Sequence, residues 1–240
     1  MRAYIITMSD NDSSVSRAEV AAESAKEHCL SITVEFFEAT QPKNIYNHTG
    51  EVFGKQVPWT WPSSPNQDGL DLTTGLYKKY YPAKAQDRVV ACALSHYRLW
   101  KLCAEQEEPI LVLEHDARFV REFSVEDLSD KWGAVGLNDP RGNTRKGRLF
   151  HSLIEKYGEG IQRVPVIDEP TDPPLPMGIA GNSAYIIKPY FAKKLLEEVE
   201  RVGMWPNDAI MCRQLFPTDL KVVYPYYTVV QSGVSTTTGI

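Results

Sequence analysis

No unbroken apolar run in the 240 residues approaches the roughly 18 that a membrane-spanning helix needs, so an integral membrane protein of that kind is not expected. The opening stretch Met1-Arg2-Ala3-Tyr4-Ile5-Ile6-Thr7 is too short for a secretion signal and lacks a small-residue cleavage pattern. The sequons Asn11-Asp12-Ser13 and Asn47-His48-Thr49 therefore carry no weight as glycosylation sites. Cysteine is scarce: Cys29, Cys92, Cys103 and Cys212 lie far apart, with no C-x-x-C pair. That excludes a disulfide framework and a paired-cysteine zinc site, and predicts buried free thiols in a reducing, cytoplasmic setting, with at most a peripheral place at a membrane. The net charge of -5 is spread without a basic block, so a phosphate-backbone groove is not the expected binding surface and no nucleic-acid partner is expected. A G-x-G-x-x-G turn is missing as well, which leaves an ordinary dinucleotide fold unsupported. No internal repeat is visible.

What remains is an ordinary globular composition, 42% hydrophobic and 24% charged. Ala3 to Thr7 reads as a buried strand, and the cap-rich Ser9 to Ser14 leads into a helix over Val15 to His28, with alanines on a narrow face. Ile32 to Phe37 is the next strand. From Gln41 to Pro82 the prolines and the aromatics Trp59, Trp61, Tyr77, Tyr80 and Tyr81 predict an ordered excursion packed over the sheet, either as core or as cover for a ligand. A deeply packed helix is expected over Gln86 to Gln106. Trp132 to Leu137 and Ala184 to Ile187 read as strands, Pro189 to Val202 as a helix with proline at its start, and Val222 to Tyr224 and Tyr227 to Val230 as closing extended segments. Arg141 to Arg148, locally basic with two glycines, reads as a mobile loop that could clamp a phosphate; Val164 to Pro176 reads as a connection. The expectation is one α/β domain over 1–240 with a mostly parallel central sheet and the excursion at about 41–82.

The richest stretch is Pro-Ile-Leu-Val-Leu-Glu-His-Asp-Ala-Arg-Phe, residues 109–119. Ile110 to Leu113 has the continuous apolar character of a strand buried on both faces. It ends in Glu114-His115-Asp116, where a buried strand of an open α/β sheet would emerge and ligand chemistry resides. Carboxylates at i and i+2 there can hold a hard divalent cation and, through it, a phosphate.

This strand, together with Cys92-Ala93-Leu94-Ser95-His96-Tyr97-Arg98-Leu99-Trp100 before it, resembles glycosyltransferase family 25, the lipooligosaccharide-type galactosyltransferases. Weaker similarities are Tyr4-Ile5-Ile6 with Arg17, Ala184 to Ile187 with Ala192 to Leu196, and Pro206-Asn207-Asp208. The resemblance implies a GT-A fold and inverting transfer of galactose or glucose from a UDP-sugar to a hydroxyl of a glycan, lipid-linked sugar or other acceptor. It also implies a divalent cation, commonly Mn²⁺ with Mg²⁺ as the alternative, held by Asp116, Glu114 and His115. Donor contacts fall to Arg17, Ser95, His96, Glu114, Asn182 and Ser183, and Asp208 is the general base that takes the acceptor proton.

The chain departs from the family pattern at His115, where an aspartate is expected; histidine brings no negative charge. That departure motivates a second reading, a catalytically inactive sugar-nucleotide or glycan-binding module of the same fold. A third, a metal-dependent phosphohydrolase, would need a further set of carboxylates or histidines that the sequence does not display.

Overall fold

The computed structural model describes residues 1–29, 31–45, 58–83, 85–128, 131–142, 146–167 and 174–232. Eleven strands are formed: β1 (Arg2–Thr7), β2 (Thr33–Glu38), β3 (Gly69–Leu70), β4 (Tyr77–Lys78), β5 (Ile110–Glu114), β6 (Ala117–Phe119), β7 (Ala134–Gly136), β8 (Gly160–Arg163), β9 (Ala184–Ile187), β10 (Leu220–Tyr224) and β11 (Thr228–Val230). The helices are α1 (Asp12–His28), α2 (Gln86–Ala104), α3 (Gly147–Tyr157), α4 (Pro189–Val202) and the single turn α5 (Asn207–Ile210).

Seven strands make one sheet in the order β2-β1-β5-β9-β7-β10-β8. β1 pairs parallel with β2 and β5, and β10 parallel with β7, while β9 runs antiparallel to both β5 and β7 and β8 antiparallel to β10. β2, β1, β5, β7 and β10 therefore point one way, which is the mostly parallel α/β arrangement expected.

Continuous apolar runs become the central strands because both faces are covered. Along β5, Ile110 and Val112 join one core with Leu94, Trp100 and Phe191, under α2 and α4. Leu111 and Leu113 join the other, with Ala18, Ala21, Ala25 and Trp132, under α1. Alanines on α1 let that helix lie close to the sheet. Its start is fixed by Asn11, whose Oδ1 accepts from the Ser14 N–H at 3.1 Å. α2 begins at Gln86 with no side-chain cap and is held by burial instead, Leu99 and Trp100 being fully enclosed.

Several elements were not foreseen: the short strands β3, β4 and β6, the strand β8 and the helix α3. The expected mobile loop over 141–148 is a 3₁₀ turn (Pro140–Gly142) followed by the helix α3, which seats Phe150 and Ile154; residues 143–145, Arg145 among them, lie outside the described residues. β8 forms only by pairing with β10, far along the chain. The described part of the aromatic excursion packs partly as core: Trp61 is buried against Trp205, ring centroids 5.4 Å apart. Its remaining stretch, 46–57, and the second sequon lie outside the described residues.

Candidate active site

Strand direction gathers the polar residues at one edge. β5 ends at Glu114, and because β9 runs the other way its first residue, Ala184, pairs with Leu113. Asn182 and Ser183, just before β9, are thereby brought to the carboxyl end of β5, where the Glu114 N–H donates to the Ser183 carbonyl at 2.7 Å. The chain then turns through His115 and Asp116 into β6. That turn is tied down by β11, which pairs with β6, and by Gln231, whose backbone N–H donates to the Asp116 carbonyl at 2.8 Å.

The acidic triplet straddles the end of β5: Glu114 is its last residue, and His115 and Asp116 lie in the turn that follows. Glu114 continues the Ile110 and Val112 side and meets α2: His96 Nε2 lies 3.3 Å from Glu114 Oε1. His96 is fully buried, with Nδ1 3.0 Å from the Tyr185 hydroxyl. Trp100 Nε1 donates to that same hydroxyl oxygen at 2.8 Å. The tyrosine hydrogen is thus free to donate to His96 Nδ1, which leaves the Nε2 proton for Glu114. Cys92, one helical turn before His96, completes the group: one ligand atom each from Cys92, His96 and Glu114 lie within 4.8 Å of one another. The expectation of buried cysteines holds for Cys29, Cys103 and Cys212, whereas Cys92 is half-buried and faces this cluster. Its thiol is pushed well up, by burial first and then by the charges of Glu114, Asp208 and Asp116.

His115 is buried in the turn after β5. Burial lowers its pKa, opposed by Glu114 and reinforced by Arg17 of α1, and its Nε2 has no hydrogen-bond partner among the described residues. Among the described residues the ligand atoms that meet at one point are those of Cys92, His96 and Glu114; β5 ends at Glu114, and His115 and Asp116 lie in the turn beyond it. Asp116 stays electrostatically joined to Glu114. Burial first, and the Glu114 charge second, push its carboxyl up to about 7, against the pull of Arg17. Its Oδ1 is buried with no hydrogen-bond partner.

Arg17 Nη2 donates to the Ser232 carbonyl at 2.7 Å, holding the guanidinium beside the Asp116 turn. Ser95, expected at the donor, has a different task. Its buried hydroxyl donates to the Ala91 carbonyl at 3.0 Å and accepts from the Thr40 N–H at 2.9 Å, fastening α2 to the end of β2. Asn182 is buried, with Nδ2 on Met211 Sδ at 3.6 Å and Oδ1 unpartnered.

Asp208 lies in the first turn of α5, an exposed residue whose carboxyl is nonetheless set down among neighbouring protein groups. That crowding first, and the Glu114 charge among the further causes, raise its pKa. Two contacts position it. Gly178 forms an isolated antiparallel bridge with Cys212, and a Cβ at 178 would stand 3.0 Å from both the Asp208 carbonyl carbon and the Met211 carbonyl oxygen, with the Asp208 carbonyl oxygen nearer still. On the other side Trp205 Nε1 donates to Thr60 Oγ1 at 3.0 Å, and Trp59 bridges Met204. Sequence reasoning did not nominate Cys92, Asn207, Tyr185 or Gly178. Only Cys92 carried a readable signal, its i, i+4 spacing from His96.

Glu114 and Asp116 thus stand at the carboxyl end of a central strand of a mostly parallel α/β sheet, the place where such sheets carry their ligand chemistry. The sequence model described as glycosyltransferase family 25 (LPS biosynthesis protein) matches residues 1–133, and the chain belongs to that family and is a glycosyltransferase. No curated protein matches it. Among solved structures it is similar to the galactosyltransferase LgtC in complex with donor and acceptor sugar analogues, at 14% identity and a TM-score of 0.45, with 97% of this chain and 87% of that one covered. It is also similar to mouse xyloside xylosyltransferase 1 in its apo form, at 10% identity and a TM-score of 0.42, with 92% and 84% covered. Among the described residues no helix is long and apolar enough to cross a membrane.

Proposed function

We propose that this glycosyltransferase, a single domain, transfers galactose or glucose with inversion from a UDP-sugar to an acceptor hydroxyl, assisted by a divalent cation. One observation carries the reading: Glu114, Asp116 and Asp208 all stand within electrostatic reach of Cys92, and burial first, then the charge of Glu114, raises the pKa of both aspartates. Carboxylates that repel one another, one with a buried oxygen lacking any hydrogen-bond partner, are the donor set a hard cation suits. Asp116 and Glu114 would hold Mn²⁺ or Mg²⁺, which when bound supplies positive charge to the nucleoside diphosphate as it departs. Arg17, beside the Asp116 turn, is suited to a donor phosphate, and Asn182 and Ser183, against Glu114, to the sugar.

Asp208 serves as general base. Its carboxylate takes the proton of the acceptor hydroxyl as that oxygen forms its bond to the anomeric carbon and the bond from that carbon to the phosphate oxygen breaks. The raised pKa makes Asp208 a stronger base, and its exposure leaves room for the acceptor. The inactive-module alternative draws on His115. Calorimetry and transfer assays with UDP-galactose and UDP-glucose, with and without Mn²⁺, test the proposal: metal-dependent donor binding and product of inverted anomeric configuration are expected. Failure to bind either donor would overturn it, and tight binding without turnover over a panel of acceptors would favour the inactive module.

A further inference from the structure

The acidic edge contains a second donor set, of which the proposed transfer reaction uses only Glu114. Cys92 and His96 stand one turn apart on α2 and face Glu114, with ligand atoms within 4.8 Å of one another. Sulfur, imidazole nitrogen and a single carboxylate are the ligands of a borderline-soft cation, unlike the oxygen-only set that suits Mn²⁺ or Mg²⁺. We propose that Cys92 Sγ, His96 Nε2 and the Glu114 carboxylate form a site for a zinc-class cation, distinct from the hard-cation position at Asp116, with Glu114 common to both.

Ligands of tetrahedral zinc stand roughly 3.3–3.6 Å from one another, given bond lengths of about 2.0–2.3 Å. The trio is close to that spacing already and needs only side-chain adjustment to reach it. Support from a surrounding partner is in place: Tyr185 holds His96 Nδ1 at 3.0 Å, which aims Nε2 at Glu114. On metal binding the imidazole proton resides on Nδ1, and the Tyr185 oxygen, which already accepts from Trp100, accepts it through its other lone pair. Cys92 and Glu114 are half-buried, so three protein ligands close one side and the fourth position opens to the cleft, the pattern of an exchangeable zinc site. Because Glu114 is shared, zinc withdraws it from Asp116 and competes with the Mn²⁺-dependent reaction. This competition, unlike the binding itself, rests on the function proposed above.

The test is titration of the full chain with Zn²⁺ and Co²⁺, read by calorimetry and absorption. One equivalent of zinc should bind, and the cobalt form should show a near-ultraviolet thiolate-to-cobalt charge-transfer band. Cys29, Cys103 and Cys212 are buried, so that band reports on Cys92. Cys92→Ser should abolish the band and weaken zinc at least tenfold, while Asp116→Asn should retain zinc and lose Mn²⁺. A cobalt complex of the wild type without the band, or Cys92→Ser binding zinc within threefold of wild type, overturns the proposal. So does equal loss of zinc in Asp116→Asn, which would put the cation at Asp116. Failure of UDP-sugars to bind would instead strike the transferase reading and leave the metal result standing.

Discussion

Replacing Gly178 by alanine tests whether the placement of Asp208, apart from its chemistry, sets the rate. A new Cβ would lie 3.0 Å from the Asp208 carbonyl carbon and the Met211 carbonyl oxygen, whereas ordinary contact begins at 3.4 Å, and the Asp208 carbonyl oxygen is closer than either. The obstructing atoms are backbone, so no side chain can swing away. The turn carrying Asp208 must retreat by about 1 Å, a displacement that costs on the order of 10²-fold when it falls on a reacting group. Overpacking of this kind also costs about 1–3 kcal/mol. For a chain of this size that lowers Tm by about 2–12 °C. Donor Kd should change much less than kcat, the clash reaching the donor side only through Met211, whose Sδ accepts from Asn182 Nδ2. Gly133→Ala is the control: its Cβ would meet the Phe191 side chain at 2.6–2.8 Å, under α4, with a similar stability loss expected and kcat preserved. The assay is kcat, donor Kd and Tm for both variants. If Gly178→Ala keeps kcat within twofold, or Gly133→Ala loses as much, the placement of Asp208 does not control the rate.

Asp208→Asn should lower kcat by about 10²–10⁴-fold with donor Kd and Tm near wild type, and near-normal kcat removes Asp208 from the mechanism. Asp116 sits near 7 in the folded chain and near 3.9 when unfolded. Folding therefore loses stability as pH rises between those values, and the whole penalty is present above about 7. Asp116→Asn removes the penalty: its Tm gain over wild type in metal-free buffer should be near nil at pH 4 and largest at pH 8, and equal gains at both would contradict the burial and Glu114 account. His115→Asp should tighten Mn²⁺ binding, because it puts a negative charge within reach of Glu114; unchanged or weaker affinity in a metal titration would mean that the side chain at 115 points away from the site.

Much of the central edge was legible because its causes are local. A buried strand reads as four apolar residues followed by charge, as at Ile110 to Glu114, and a deeply packed helix reads as the apolar α2. The family resemblance lay in those same two elements. Less legible was whatever depends on distant pairing: β8 exists because β10 lies beside it, and the antiparallel course of β9 is a property of its two neighbours. α3 was hidden because it opens at Gly147 without a side-chain cap. Ser95 carried no signal at all: its role depends on Thr40, 55 residues earlier.

The antiparallel strand also dictates an order of assembly. β9 comes after β7 in the chain yet lies between β5 and β7, so the sheet has a vacant central slot until residues 184–187 have left the ribosome. β1, β2, β5, α1 and α2 can associate earlier as an amino-terminal half, but the edge of β5 stays open to solvent and to other strands for that interval. Insertion of β9 closes the gap and, in the same event, joins the Ser183 carbonyl to the Glu114 N–H. The nascent chain therefore loses that open edge before residues 228–231 tie down the Asp116 turn and finish the acidic edge.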